Sequence, residues 1–340
     1  MKHKIVEILA FLCYWTGIDA LFYFLNRKTK RIITFHNVMP EHLLPEGRRI
    51  GLTDNEDEFR LMIREIMKRY KISNDILDAR TATITFDDGY KNQCECGGRI
   101  LKELGVPGVI FTAGKVMNND NPHEALVVDL LLHWTELADN GSYVISLIQQ
   151  DGIELSAENR AQVWQRYIWP AFVKDKESKG QDLLEALDSA YPIKKVLAKC
   201  SSEYLRLRMT GITDADIADL RAKGWLVGWH TYSHYPLSSL SAEEQKREIA
   251  ELAPDDMKSV VFSYPFGELA SVNKDSILVA EESGYPCAVS NVSEHNKMMG
   301  IYFLPRIMLF KTYNKYLLHF QLSGAKYFLQ SKKLLPIVTK

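Results

Sequence analysis

The sequence predicts an α/β fold built from parallel strand–helix units, and three observations carry that prediction. Apolar runs of strand character alternate with helical patterns, as in residues 83–86, 93–104 and 106–112. Chemically active residues stand where such strands end: Asp87-Asp88-Gly89 after Thr83-Ile84-Thr85-Phe86, and His230 after the apolar run 224–229. The chain has 340 residues and is 46% apolar, enough to bury a large core in one barrel-like domain with elaborations or in two domains.

Two neighbouring Asp side chains point to opposite faces while a strand stays regular. At the strand's end that alternation lapses, so Asp87 and Asp88 can face one site, one on a metal and the other handling a proton. Taken alone, the run also reads as an Asp-Asp-Gly turn capping the next helix. A second motif shifts the balance. His230-Thr231-Tyr232-Ser233-His234 carries two His four residues apart, spaced as on one face of a helical turn. With one carboxylate they make an N,N,O donor set that leaves a position open, the pattern of a catalytic site for a divalent ion such as zinc.

Thr85-Phe86-Asp87-Asp88-Gly89 and His230-Thr231-Tyr232-Ser233-His234 resemble the first and second motifs of the polysaccharide deacetylases, the NodB-homology carbohydrate esterases. Ser263-Tyr264-Pro265-Phe266-Gly267 resembles the third, and Leu304-Pro305-Arg306-Ile307 falls where the last would lie. The resemblance spans about residues 31–310. It implies a distorted (β/α)7-type barrel and metal-dependent removal of an N-acyl group, usually acetyl, from an amino sugar. It also implies Asp87 as general base, with Asp88, His230 and His234 as metal ligands. A backbone N–H at Phe266 would serve as oxyanion donor, and Tyr264, Pro265 and Gly267 would line the substrate site. Two departures stand out. Ser263 occupies the place of an arginine that orients the base, and the last motif has no histidine to act as general acid. Arg306 is expected to supply the missing guanidinium beside Asp87, keeping it ionised and aimed. The alternative is an Arg306 paired with a surface carboxylate. The general acid stays open among His36, His133 and His295, or Asp87 alone.

In chain order, residues 1–30 are an apolar, aromatic segment broken by Glu7, Gly17 and Asp19. A charge at mid-bilayer costs roughly 2.5–3.5 kcal/mol on insertion scales, so a spanning helix is not expected. No small-residue cleavage site follows, so neither is a secretory signal. With the basic cluster Arg27, Lys28, Lys30 and Arg31 behind it, the helix either lies on an anionic membrane surface or packs across the barrel's floor. Residues 31–38 read as the first strand, with His36 near its end as a substrate-site candidate or a core histidine. Residues 55–70 read as an amphipathic helix with Phe59, Met62, Ile63, Ile66 and Met67 inward. Residues 118–210 break the rhythm and read as a helical insertion, with helices over 125–137, 159–172 and 181–190. Asp129, His133, Trp134, Trp164, Tyr167 and Trp169 there face either the cleft or the insertion's own core. Capping boxes at Thr213/Asp216 and Ser241/Glu244 open two further helices, and residues 259–264 read as a strand. Residues 311–340 form a basic helical segment, either a membrane-surface element or a partner for the N-terminal helix.

The net charge of −1 gives nucleic acid no footing as a main partner. Cys13, Cys94, Cys96, Cys200 and Cys287 are odd in number and scattered, which argues against a disulfide framework and for a reducing compartment. Cys94-Glu95-Cys96 lacks a second pair to complete a thiolate metal site. The sequence therefore predicts a zinc-type hydrolase, with cobalt, nickel or iron fitting the same ligands. Its expected substrate is an N-acylated amino sugar of a surface polysaccharide or lipid-linked precursor, and its expected location the cytoplasmic side, peripheral on the inner membrane face. The alternatives are a non-catalytic carbohydrate- or lipid-carrier-binding protein, and a metal-dependent esterase or phosphoesterase.

Overall fold

The computed structural model describes residues 2–44, 53–118, 142–147, 150–156, 201–292, 300–309 and 313–332. Helices α1 (Lys2–Trp15) and α2 (Ile18–Leu25) precede the first strand. Seven short parallel strands then form the frame: β1 (Arg31–Phe35), β2 (Thr81–Phe86), β3 (Val109–Thr112), β4 (Leu226–Trp229), β5 (Phe262–Ser263), β6 (Ala288–Val289) and β7 (Ile307–Met308). Hydrogen-bonded ladders run β7-β1-β2-β3-β4, and β5 pairs with β6. The ring closes because Ser290 N–H donates to the Leu304 carbonyl at 2.8 Å and Leu304 N–H to Ala288 at 2.9 Å. Between β4 and β5 the strands approach without a ladder. A Cβ on Gly228 would stand 2.4 Å from the Val261 carbonyl oxygen, so only glycine fits there. This is an α/β fold with a distorted (β/α)7 barrel.

Strand pleating sorts the core into two layers. Ile33, Phe35, Ala82, Ile84 and Phe86 pack outward against helix α3 (Glu56–Met67), through its Phe59, Met62, Ile63 and Ile66. Each such side chain contributes about 1.5–3 kcal/mol of burial, an upper figure because the unfolded chain is itself partly collapsed. Asn55 caps α3 by accepting from Glu58 N–H at 2.8 Å. On the other face Ile32, Val109, Phe111, Val289 and Leu304 fill a smaller cluster. Helix α4 (Ser202–Met209) leads to α5 (Asp214–Ala222), which starts at the expected Thr213/Asp216 capping box. The Ser241/Glu244 box is also present, but its helix passes after Lys246 into a π-helical turn, Arg247–Glu251. Earlier in the chain another π turn, Gln93–Gly98, stands where an α-helix is expected after the Asp pair. Further on come α6 (Lys274–Glu282), α7 (Lys315–Leu322) and α8 (Ala325–Ser331).

Three expectations need correcting. The N-terminal segment is not one helix: Gly17 takes φ 76 and bends it by 80° between α1 and α2. Helix α1 packs along α7, with Val6, Ala10 and Cys13 against Leu317 and Phe320. Arg31 leaves the basic cluster, because it is buried and donates to the carbonyls of Leu322, Thr29 and Asn26. The insertion is not wholly helical, since Ser142–Leu147 and Gln150–Ser156 pair as an antiparallel hairpin. The helices expected over 125–137, 159–172 and 181–190 lie outside the described residues, as do Asp129, His133, Trp134, Trp164, Tyr167, Trp169 and His295.

Candidate active site

Because the strands are parallel, residues that follow β2, β4 and β5 gather at one end of the barrel. Asp87 and Asp88 follow β2, His230 follows β4, and Tyr264 to Gly267 follow β5. The chain turns there through conformations that side chains rarely adopt. Five non-glycine residues among those described have positive φ, and four are in these loops: Asp88 (86°), Thr231 (64°), His234 (57°) and Phe266 (59°). Such strain persists only where the surroundings impose it, and it collects at functional sites. Gly89, also at φ 86, lies so close to β3 that a Cβ would come 3.1 Å from the Thr112 side chain.

Asp88, His230 and His234 each offer one ligand atom, and the three atoms lie within 4.8 Å of one another. Asp88 Oδ1 is 3.3 Å from His234 Nε2 and 3.8 Å from His230 Nε2. The 2.7 Å contact between His230 Nδ1 and the Ser263 carbonyl requires the proton on Nδ1, leaving the Nε2 lone pair toward the cluster. Burial pushes the pKa of His230 down to about 4, outweighing the pull of Asp87 and Asp88, so the ring is a neutral donor at neutral pH. Two imidazoles and a carboxylate gathered at one buried point suit a divalent transition metal. It is the one such group among the described residues. Cys94 and Cys96 take no part: burial pushes the Cys94 thiol up to about 11, and that of Cys96 up as well.

Asp87 sits beside this cluster in a fully buried clamp. Arg306 Nη1 donates to Oδ1 at 2.7 Å and Nη2 to Oδ2 at 2.5 Å. The guanidinium also donates to Ser290 O (3.0 Å), Ser263 Oγ (3.1 Å) and Thr85 Oγ1 (3.2 Å). Burial alone would raise the Asp87 carboxyl; Arg306, followed by His230, more than offsets it and holds the group below the ordinary carboxylate range. Ser263 Oγ adds a 3.3 Å bond to Asp87 Oδ1. A small residue at 263 leaves room for a guanidinium arriving from β7.

A family model for polysaccharide deacetylases matches residues 75–288, taking in both Asp residues and both His residues. The chain belongs to the polysaccharide deacetylase family. Among solved structures this deacetylase is similar to the Streptococcus pyogenes deacetylase PplD, at 13% identity and TM-score 0.48 over 88% of this chain and 96% of that one. It is also similar to IcaB from Ammonifex degensii (12%, TM-score 0.46, 88% and 97%). The deacetylase domain of BpsB from Bordetella bronchiseptica follows at 14%, TM-score 0.41, 82% and 95%. No curated protein matches the chain.

Of the remaining residues expected at the site, His36 is present: its Nε2 is 3.9 Å from Asp87 Oδ2. Phe266 is half-buried, its ring 5.0 Å from that of His234. Gly267 N–H donates to the Pro265 carbonyl at 2.6 Å, which fixes the plane of the peptide carrying the Phe266 N–H. Gly267 itself is buried at φ 63, where a Cβ would stand 2.5 Å from Asn291 N. Tyr264 is a correction. Its ring lies in the core against Phe262 and Phe303, and its hydroxyl donates to the Tyr302 carbonyl at 2.8 Å, so it offers a sugar nothing. Pro265 is buried too.

Two residues that hold the site carry no motif. Gln93, buried in the first π turn, donates to the carbonyls of Asp87 and His36 and accepts from Gly89 N–H, tying the ends of β1 and β2 together. Glu248, in the second π turn, accepts from Tyr232 N–H (2.8 Å), Ser233 N–H (2.9 Å) and Ser233 Oγ (2.8 Å), pinning the loop between the two His. Single π turns recur at functional sites because they re-aim one side chain. The one signal in the sequence was the pair of glycines, Gly97 and Gly98, the first of them crowded against Phe86.

Proposed function

We propose that this chain hydrolyses the N-acetyl amide of an amino sugar in a surface polysaccharide or its lipid-linked precursor. The observation that carries the reading is the Asp88–His230–His234 cluster beside a buried Asp87 that Arg306 keeps ionised. Zinc is the first choice for the three ligands, with cobalt, nickel or iron compatible. Bound there, a divalent ion supplies Lewis acidity toward the acyl oxygen and makes water a competent nucleophile near neutral pH.

The chain's own groups do the rest. Asp87 takes a proton from the attacking water as its oxygen bonds the acyl carbon. The Phe266 N–H, on a peptide held rigid by the Gly267 turn, donates to the oxygen that becomes negative; such a donor is worth about 3–4 kcal/mol of barrier. The C–N bond then breaks and the amine leaves with a proton. Among the described residues His36 is the candidate donor, 3.9 Å from Asp87 and able to pass on the proton that Asp87 received. Tyr232, 44% exposed between the two His, offers a ring face to the sugar. Cys13, Cys94, Cys96 and Cys287 are free thiols, which favours a reducing compartment on the cytoplasmic side.

The test combines metal content by elemental analysis with acetate release from oligosaccharides containing N-acetylglucosamine. Stoichiometric metal with acetate release supports the reading. Metal without release from any amino sugar leaves the non-catalytic carbohydrate- or lipid-carrier-binding reading.

A further inference from the structure

Helices α1 and α2 carry more apolar surface than they bury. One stripe of α1, Val6, Ala10 and Cys13, packs into a small cluster with Leu317, Phe320 and Ala325. The other side is open to solvent: Ile8, Leu12 and Trp15 of α1, continued by Leu21, Phe24 and Leu25 of α2. Trp15 is 64% exposed and Phe24 61%, and Ile8, Leu12 and Trp15 recur at helical spacing along one side of α1.

The rim of this face is cationic, and its cations stack on its aromatics. Arg27 lies 4.3 Å from the centre of the Phe24 ring, Lys332 5.9 Å from Phe328, and Lys315 5.1 Å from both Tyr14 and Tyr316. Lys4 and Lys28 add exposed charge at the two ends of the helix pair. The acidic residues of α1 and α2 are withdrawn, Glu7 half-buried and Asp19 buried. An apolar centre with aromatic side chains and a ring of snorkelling Lys and Arg is the make-up of an interfacial membrane element.

We propose that this face docks on an anionic bilayer surface, lying in the headgroup plane. The 80° bend at Gly17 suits a surface position, and among the described residues no single helix is long and apolar enough to cross a membrane. Charge selects the occupant. A second copy meeting the face about a two-fold axis would set basic rim against basic rim, whereas anionic headgroups complement it. The proposal does not rest on the deacetylase reading.

The experiment is flotation of the full-length protein with vesicles of phosphatidylcholine, with and without phosphatidylglycerol, at low and high salt. The wild type is expected to float with the anionic vesicles and to be released by salt. Arg27→Ala and Lys28→Ala should each weaken binding about five-fold. A triple variant, Ile8→Gln, Phe24→Gln and Leu25→Gln, should lose flotation while keeping its thermal midpoint, since all three side chains are exposed. The proposal is overturned if the wild type stays at the bottom with anionic vesicles, or if the triple variant floats equally. A dimer in sedimentation that the triple variant abolishes, with no flotation by the wild type, would also overturn it and make the face a subunit interface.

Discussion

Asp87 shows how much the site depends on single side chains. A carboxylate with no exposure would ordinarily prefer its neutral form, and it stays ionised here because Arg306 binds both its oxygens. Asp87→Asn keeps the shape and removes the proposed base, so acetate release should fall by about 10²–10⁴-fold with the fold intact by circular dichroism. Arg306→Met leaves a buried charge unpaired and should cost about 3–5 kcal/mol of stability in denaturant titrations, with loss of activity. Ser263→Arg in that background restores a guanidinium from the position the family ordinarily uses and should recover part of both. No recovery would mean that the two positions do not reach the same space. This pairing was open to sequence reasoning because the family pattern made an absent arginine visible at Ser263, although Arg306 lies 219 residues from Asp87. Tyr264 shows the opposite case, a residue inside a motif that serves the core.

The elements that aim the site are its two π turns and its loops with positive φ. Gln93 and Glu248 touch backbone atoms of the loops and none of the cluster's ligand atoms in Asp88, His230 and His234, so their effect runs through positioning. Gln93→Leu and Glu248→Ala should each lower metal affinity by about 10–100-fold in a chelator competition, whatever substrate is used. A variant that binds metal like the wild type would show that the loops hold their shape without these bonds. Neither residue was legible: a π turn has no periodicity that separates it from an α-helix, and a Gln or Glu on a helix reads as solvated surface. Strand β6, two residues long, is likewise too short for a pattern of alternation, whereas β5 falls inside the strand expected over 259–264. The terminal elements make a pH prediction. On α7, His319 bonds the Tyr23 hydroxyl at 2.9 Å and sits 3.6 Å from Glu65, and burial, then Arg69, lowers its pKa. Folding therefore disfavours protonation of this ring, which in the unfolded chain takes up its proton near the ordinary imidazole value of about 6.5. Its contribution to stability is intact above that value and declines as pH falls below it. The thermal midpoint should drop between neutral and mildly acidic pH, and by less in His319→Gln, which retains a polar partner for Tyr23. Equal drops would remove His319 as a cause.

At the scale of the whole molecule, seven parallel strands close unevenly into a ring, and helices α1 and α7 from the two terminal regions pack on each other. The barrel class was legible from strand–helix alternation together with the motifs, since both follow from burying a parallel sheet on two faces. How the ends pack was not legible, because an amphipathic terminal helix has the same composition whether it meets a membrane or another helix. Here α1 does the second with one face and leaves the other exposed. The account as a whole turns on one cation held by groups from two strand ends, beside a base held by a third. Its most direct measurement is equilibrium dialysis against zinc on wild type, Asp88→Ala and His230→Ala, followed by acetate release from the same samples. The account predicts about one ion per wild-type chain, none retained by either variant, and release that tracks bound metal. Full zinc binding by both variants, or undiminished release after the metal is stripped, would contradict it.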